Sequence, residues 1–562
     1  MVTSVQFLGE VAFGSSSCHS SNIIREIISY RWCCTLRPAV ILGSSTSNLQ
    51  RGRVMKKTST IILRNSLLLL ATILGFSAVR ASAQTTAQTK LAAPRITQAI
   101  DESRLVPMHS KVHPLARAEF DRGAVPDSQP MNRIILDLQR GPDQETALRN
   151  LMDEQQTKNS PNYHAWLTPS QFGQQFGVSD ADVQKVTAWL SQKGFTGIKP
   201  STGHMFIEFS GTAGLIRNAF HTEIHSYVVH GEAHVANASV PQMPAALAPV
   251  VLGIHSLHNF RKKSFMHYSQ ALAKAKAAGT LKAAFGDGNG LFAVAPGDFA
   301  KIYNLPSGLN GSGQTIALVA RSNIAVSDIN QFGTAFGLAN LSNFTAANNI
   351  ILSGPDPGIS PPDDGEATLD VEWSGAVAPG ATIKLVVSDI QETTGTDGVD
   401  LSAFYIVDNN IAPIMSESFG ICEAAADDAF ESSLWEEAAA QGITVMVSTG
   451  DTGSASCDPD NFPNASDAGL QISGTASTPF NVAVGGTDFN DASNPTTYWN
   501  NTAALSTAKG YIPEIPWNDT CASTATAGTL NTVCTSIDPN DQSGLDLSGG
   551  GGGASTCGLV NN

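Results

Sequence analysis

Asp363-Asp364-Gly365-Glu366-Ala367-Thr368-Leu369-Asp370-Val371-Glu372-Trp373-Ser374-Gly375-Ala376-Val377-Ala378 is followed, three residues later, by Thr382-Ile383-Lys384-Leu385-Val386-Val387-Ser388. The first run predicts a helix over 365–378. The second predicts an apolar strand, bounded by Gly and Ser signals and too short for a helix. The same alternation extends in both directions. Strands are predicted over 315–320, 412–418, 443–448 and 481–485, and helices over 326–336, 399–408 and 426–440. Apolar strands separated by helices imply an α/β fold with a mostly parallel, doubly wound sheet buried on both faces. Ligand sites in such sheets lie beyond the carboxyl ends of the strands.

Upstream the pattern changes. Residues 131–139 read as a strand, 143–158 as a helix, and 179–194 as a helix opened by Ser179 and Asp182 and closed by Gly194. Strand signals at 205–209, 223–229 and 233–236, with a short helix over 215–220, complete a compact α+β domain over about 105–260. Residues 84–104 read as a loose polar lead-in. Residues 261–290 open on Arg261-Lys262-Lys263, turn Ala/Lys-rich, and read as an exposed, cleavable linker. No internal repeat is visible.

Met55-Lys56-Lys57, an apolar run over 66–79 and Ala81-Ser82-Ala83 have the order of a secretory signal peptide. That run is short for a membrane span. The 54 residues before Met55 are expected to reflect an upstream, mis-called start. Export implies an oxidising compartment. Cys18, Cys33 and Cys34 precede the signal. Cys422 with Cys457 and Cys521 with Cys534 are plausible local pairs, though spacing fixes no connectivity, and Cys557 is left over.

The 562 residues carry a formal charge of −16, which argues against nucleic acid as a partner. The charge is unevenly spread. From residue 291 onward there are four basic residues (Lys301, Arg321, Lys384, Lys509) against 31 acidic ones, while the first 290 residues are net positive. All 12 histidines lie at or before His267, so the acidic half cannot build a His-dependent triad or metal site from its own residues.

Glu366 and Asp370 stand at i and i+4 and therefore share a helix face. Like charges so placed raise at least one carboxyl pKa. The plain alternative is a solvated acidic helix start favoured by the helix dipole, and Asp363 and Asp364 suit it. Asp451, in Thr449-Gly450-Asp451-Thr452-Gly453, follows a buried-looking strand and either meets a ligand or caps a turn.

Together these segments resemble the sedolisins, secreted serine-carboxyl peptidases with a subtilisin-like fold. Further similarities are Phe419-Gly420 after a strand, Val484-Gly485-Gly486-Thr487, the Gly549–Gly553 run, and Pro296-Gly297-Asp298-Phe299-Ala300-Lys301-Ile302-Tyr303-Asn304, which is similar to the family's mature start. Tyr163-His164-Ala165-Trp166-Leu167-Thr168-Pro169 resembles its pro-kumamolisin-type activation propeptide. The resemblance implies a ferredoxin-like propeptide domain over 84–265, a linker over 266–290 and a peptidase domain over 291–562. It also implies catalytic roles for Glu366 as general base, Asp370 as its partner, and Asp451 as a protonated oxyanion donor. A carboxyl base suits acid, where an imidazole would be protonated, and a neutral carboxylic acid can serve as an oxyanion donor. It implies a peptide or protein substrate, the propeptide as intramolecular inhibitor, a monomer, no stable membrane association after signal cleavage, and calcium as cofactor.

One departure stands out. The family's nucleophile is a Ser in Gly-Thr-Ser after the glycine run, and no Gly-Thr-Ser occurs here. The expectation is a chain truncated before the nucleophile, with the calcium ligands also beyond its end and no hydrolysis by the chain as given. The alternative is a catalytically inactive binding or decoy protein. A glycoside hydrolase fits poorly, because i,i+4 carboxyls on one helix do not flank a substrate from both sides.

Other signals are weaker. His221, His225, His230 and His234 mimic ligand spacing but read as ordinary propeptide histidines. Glu417, Glu423, Asp427 and Asp428 read as solvated or as lining a cleft. Asn237, Asn343, Asn464, Asn500 and Asn518 begin Asn-x-Ser/Thr sequences. The charge split suggests a basic propeptide held on an acidic partner at neutral pH and loosened by acid.

Overall fold

The computed structural model describes residues 92–264, 294–520 and 548–555, except 256, 362, 390–394, 427, 459–468, 492, 501–505 and 519. The signal-like stretch, most of the linker, and Cys521, Cys534 and Cys557 lie outside them.

Six parallel strands form the larger sheet, in the order Ile350–Leu352, Thr382–Val387, Thr315–Ala320, Ile414–Glu417, Thr444–Ser448 and Val482–Val484. Register follows the apolar pattern, with Ile316 opposite both Ile383 and Ile414. Alternate side chains serve opposite faces. Ile316, Leu318 and Ala320 pack with Ile329 and Val371, from the helices Val326–Phe336 and Asp363–Val377. Ala317 and Val319 face the other way, toward Phe404 and Phe430, from the helices Gly398–Asp408 and Asp428–Ala440. Helices on both faces explain why the middles of these strands are mostly apolar, with polar residues such as Thr315, Thr382, Thr444, Glu417 and Ser448 at their ends. The strand Ile350–Leu352 was not predicted from sequence; three residues at a sheet edge carry too little periodicity.

The upstream part is an antiparallel sheet in the order Thr196–Pro200, Phe206–Thr212, Pro130–Leu138 and Val251–His255. Ile134, Leu136, Ile207 and Phe209 bury one face against Val186, Leu190 and Ile216, of the helices Asp180–Gln192 and Ala213–Phe220. Ser179 caps the first of these by accepting from the Asp182 N–H, as its sequence predicts. The lead-in is not loose from Arg95 onward. The N–H groups of Arg95 and Ile96 donate to the Asp182 carboxylate at 2.6 and 2.9 Å, and Ile96 is buried.

The other face of this sheet meets the parallel-sheet region. Ile135, Phe172 and Phe206 join the same apolar core as Phe404, Phe430 and Trp435. The Phe206 ring stands edge-on to Phe404 and Phe430 at 5.6 and 5.3 Å. Around this seam Arg140 pairs with Glu436 at 2.5 Å, and Arg149 pairs with Glu436 at 2.8 Å. The Thr202 N–H donates to Asp408 at 2.5 Å, and Glu437 packs beneath Gly203, where any Cβ would meet its carboxylate.

Buried carboxyls govern how this seam answers acid. Burial, aided by the Asp408 charge, pushes the Glu437 carboxyl up to about 8, and burial also raises Asp408. At these two positions the docked state favours the protonated form, so acid tightens the contact there, opposite to the expectation from net charge alone. The physical reason is desolvation, which outweighs the distant cations. For Glu437 the folded value lies above its ordinary 4.5, so stability is lost as pH rises from about 4.5 to about 8. Glu437→Gln should therefore raise the first unfolding midpoint by several degrees at pH 8 and by much less at pH 4. Thermal scans at the two pH values check this; equal shifts at both would refute it.

Candidate active site at the carboxyl edge of the sheet

The helix Asp363–Val377 follows the strand Ile350–Leu352 and precedes Thr382–Val387, so its first turn lies at the carboxyl edge of the parallel strands. Its acidic start is not a solvated one. Asp363 is buried and takes a two-pronged pair from Arg321, at 2.7 Å from Nε and 3.1 Å from Nη2. Arg321 also donates to Asp397 at 2.9 Å, and its guanidinium lies 5.2 Å over the Phe419 ring. Its planar fork suits two carboxylates at once. The sequence reading missed this residue; the signal available was its rarity, as one of four cations after residue 290.

One turn further, Glu366 is fully buried and its Oε2 accepts from the Ser264 hydroxyl at 2.9 Å. Asp370 accepts from the Ser418 hydroxyl at 2.9 Å. Burial pushes the Asp370 carboxyl up to about 7, against the Ser418 hydrogen bond, which lowers it. The two carboxyls thus share a helix face, and each engages a hydroxyl. Beside Asp370 opens a cavity of about 90 Å³, lined in part by Trp373 of the same helix and by Ser416, Ser418, Ser448 and Gly485, at or just past strand ends.

Asp451 lies three residues past the strand Thr444–Ser448 and is buried. Its turn is held by the glycine run. The Gly549 N–H donates to the Asp451 carbonyl, and the Gly551 N–H to the Gly450 carbonyl, both at 2.7 Å. A Cβ at Gly551 would fall 2.0 Å from the Thr449 carbonyl oxygen, which is why bare backbone is needed there. Cys422 and Cys457 are joined in a disulfide, with Cα atoms 4.8 Å apart.

The segment expected to be an exposed linker from Arg261 begins instead as a docked strand. Lys263–Ser264 pairs antiparallel with Phe419–Gly420, placing Ser264 opposite Phe419. Lys262 is buried, and its ammonium reaches Asp400, Glu417 and Glu431 at 2.6, 3.1 and 3.3 Å. Composition predicted exposure because it records the three adjacent cations but not the carboxylates waiting for one of them. Glu417 is accordingly buried and not solvated, its carboxyl pushed up to about 7 by burial against the pull of Lys262. Glu423 is buried and accepts from Ser555 at 2.5 Å. Asp427 lies outside the described residues.

The four spaced histidines do not converge. His221 ends a helix in the left-handed region (φ 52°), and His230 occupies a hairpin turn (φ 50°). His225 pairs with Asp121 at 2.9 Å, and His234 stacks on Phe260 at 4.1 Å.

Comparison with known proteins bears on this geometry. Residues 120–260 match the family model of the pro-kumamolisin activation domain. The chain is 28% identical to sedolisin of Pseudomonas sp. (strain 101) over 383 residues, covering 67% of this chain and 61% of that protein. It is 30% identical to xanthomonalisin of Xanthomonas sp. (strain T-22), covering 62% of this chain and 44% of that protein. It is 25% identical to kumamolisin of Bacillus sp. (strain MN-32), covering 65% and 64% respectively. The chain thus spans between about half and two thirds of the length of these relatives. A solved structure of Pseudomonas sedolisin, a serine-carboxyl proteinase complexed with two molecules of pseudo-iodotyrostatin, aligns at 26% identity and a TM-score of 0.35, covering 47% of this chain and 63% of that one. Matches to an activation domain and to three curated peptidases converge: over about two thirds of its length the chain is similar to sedolisin-type peptidases, and residues 120–260 match the pro-kumamolisin activation domain.

Proposed function

We propose that this chain is the zymogen form of a secreted, acid-acting serine-carboxyl endopeptidase, in which Glu366, Asp370 and Asp451 are the catalytic carboxyls. One observation carries the reading. A hydroxyl lies 2.9 Å from Glu366 Oε2, on a segment running extended beside Phe419–Gly420. That is the arrangement a carboxylate base needs to take a proton from a hydroxyl nucleophile beside a bound peptide. Glu366 then returns the proton to the leaving amine. Asp370, with its carboxyl near 7, is uncharged in acid, so Glu366 ionises without a like charge one helical turn away. Asp451, protonated, donates to the oxyanion of the tetrahedral intermediate.

In this reading residues 84–265 are the activation domain, 266–290 the linker cut on maturation, and 291–562 the peptidase portion. The activation domain acts as the intramolecular inhibitor, because its last described residues occupy the cleft. Its four-strand order, with two crossing helices, supports a ferredoxin-like fold, and the parallel region supports a subtilisin-like one. Export rests on residues 55–83; among the described residues no helix is long and apolar enough to cross a membrane. Among those residues no group of three or more His, Cys, Asp or Glu suits a metal ion, so no step here is routed through calcium.

The reaction also needs a nucleophile, and the 562 residues contain no Gly-Thr-Ser. That favours a second reading for the polypeptide as given: it binds peptide without hydrolysing it. Two outcomes follow. Acid digestion of a denatured protein by the gene-encoded protein should fall at least about 100-fold in kcat with Glu366→Gln or Asp370→Asn; a Glu366→Gln enzyme of undiminished kcat would defeat the assignment of the base. The 562-residue chain by itself should release no acid-soluble peptide; release would mean that one of its own serines attacks.

A further inference from the structure

The segment that meets Glu366 is held along its main chain as well as by its side chains. Lys263 and Ser264 pair antiparallel with Gly420 and Phe419. One residue earlier, two side chains of the acidic half take over. The Asp397 carboxylate accepts from the Lys262 N–H at 3.0 Å, and the Arg321 guanidinium donates to the Lys262 carbonyl at 2.8 Å. In an extended chain the N–H and C=O of one residue point to the same edge. A single peptide residue therefore meets an acceptor and a donor side by side.

Each of the two groups is also held by its own half of the chain. Asp397 caps the helix Gly398–Asp408, its Oδ1 accepting from the Val399 N–H at 3.1 Å, and its Oδ2 accepts from Arg321 Nη1 at 2.9 Å. Arg321 directly follows the strand Thr315–Ala320, and its Nε and Nη2 go to Asp363. Phe419 lies under the guanidinium, and Arg321, Asp397 and Asp363 are all buried. Side chains so anchored cost little further ordering when a peptide arrives, and hydrogen bonds to charged groups are the strong ones. A contact of this kind reads the main chain. It asks for an amide hydrogen, which proline lacks.

We propose that Arg321 and Asp397 form a main-chain clamp for bound peptides, holding the N–H and the carbonyl of the residue two positions to the amino side of the one that meets Glu366. This rests on the reading of the cleft beside Glu366 as the substrate site. Lys262 is the resident occupant. The clamp itself is indifferent to the side chain at that position and rejects proline there.

The test keeps the Lys262 side chain and changes one backbone group. Codon suppression places the α-hydroxy analogue of lysine at position 262 of the 562-residue chain, which exchanges the N–H for an ester oxygen. Trypsin cleavage of the Lys263–Ser264 bond under native conditions reports release of the strand. The ester should speed that cleavage at least about tenfold, the change that loss of a hydrogen bond to a charged group carries. An unchanged rate overturns the proposal. In an Asp397→Ala chain the same ester should change the rate less than about twofold; an undiminished effect there places the lost bond elsewhere and overturns the clamp. Asp397→Ala also uncaps a helix and is prone to misfold. Asp397→Asn keeps the cap while weakening the acceptor, so the ester effect should shrink in it, and an undiminished effect again overturns the clamp. Acid digestion of a denatured protein by the gene-encoded protein reports separately on the reading beneath. Proline should be depleted at one position on the amino side of the cut bonds. Digestion that tolerates proline at every such position sinks the clamp alone. An ester effect that needs Asp397, without any digestion, sinks the peptidase reading and sustains the clamp.

Discussion

A stretch of chain with 31 acidic residues and four basic ones cannot bury its carboxylates against its own cations. Everything at the carboxyl edge of the sheet follows from that shortage. Arg321 is spent on Asp363 and Asp397. Other buried carboxyls draw a cation from the upstream domain, as Glu436 does from Arg140 and Glu417 from Lys262, have their protons held more tightly by burial, as at Asp370 and Glu437, or accept from neutral donors, as Asp298 does from the Ser506 hydroxyl and the Ala508 N–H. The first two answers are available only while the surrounding groups stay dry. The antiparallel sheet supplies both the dryness and the missing charge, which ties the two regions more closely than their different architectures suggest.

Much of the fold was legible in the sequence, because its strands are buried on both faces and its helices are amphipathic enough to register at a single period. The helix Val326–Phe336 and the strand Thr315–Ala320 fall where the pattern places them. Short pieces escaped: Ile350–Leu352 and Lys263–Ser264 are held by pairing partners far away in the chain, and nothing local marks them as strands. Glu366 and Asp370 were legible because a helix fixes their relation. The surroundings of Asp363, Lys262 and Glu417 were not, because burial of a charge depends on counter-charges that sequence spacing does not bring together.

The pairs at this edge also explain a contrast within one helix. Asp363 and Glu366, three residues apart, are both buried, yet one is matched to a permanent cation and the other to a neutral hydroxyl. The first is suited to hold the helix start in place at any pH. The second sits where a proton can move. A carboxylate locked by guanidinium makes a poor base, and under the proposed reading the two tasks are divided along one turn, with Glu366 as the base.

The apolar seam joining Phe206 to Phe404 and Phe430 has one more consequence. Cutting the backbone between residues 264 and 294 would turn one molecule into two without disturbing an atom of that seam. Scission and departure are thus distinct events with separate clocks. Under the proposed reading the first would be set by a single bond and the second by how fast water enters a greasy joint, so a nicked but still silent complex would be a natural stopping point along the way.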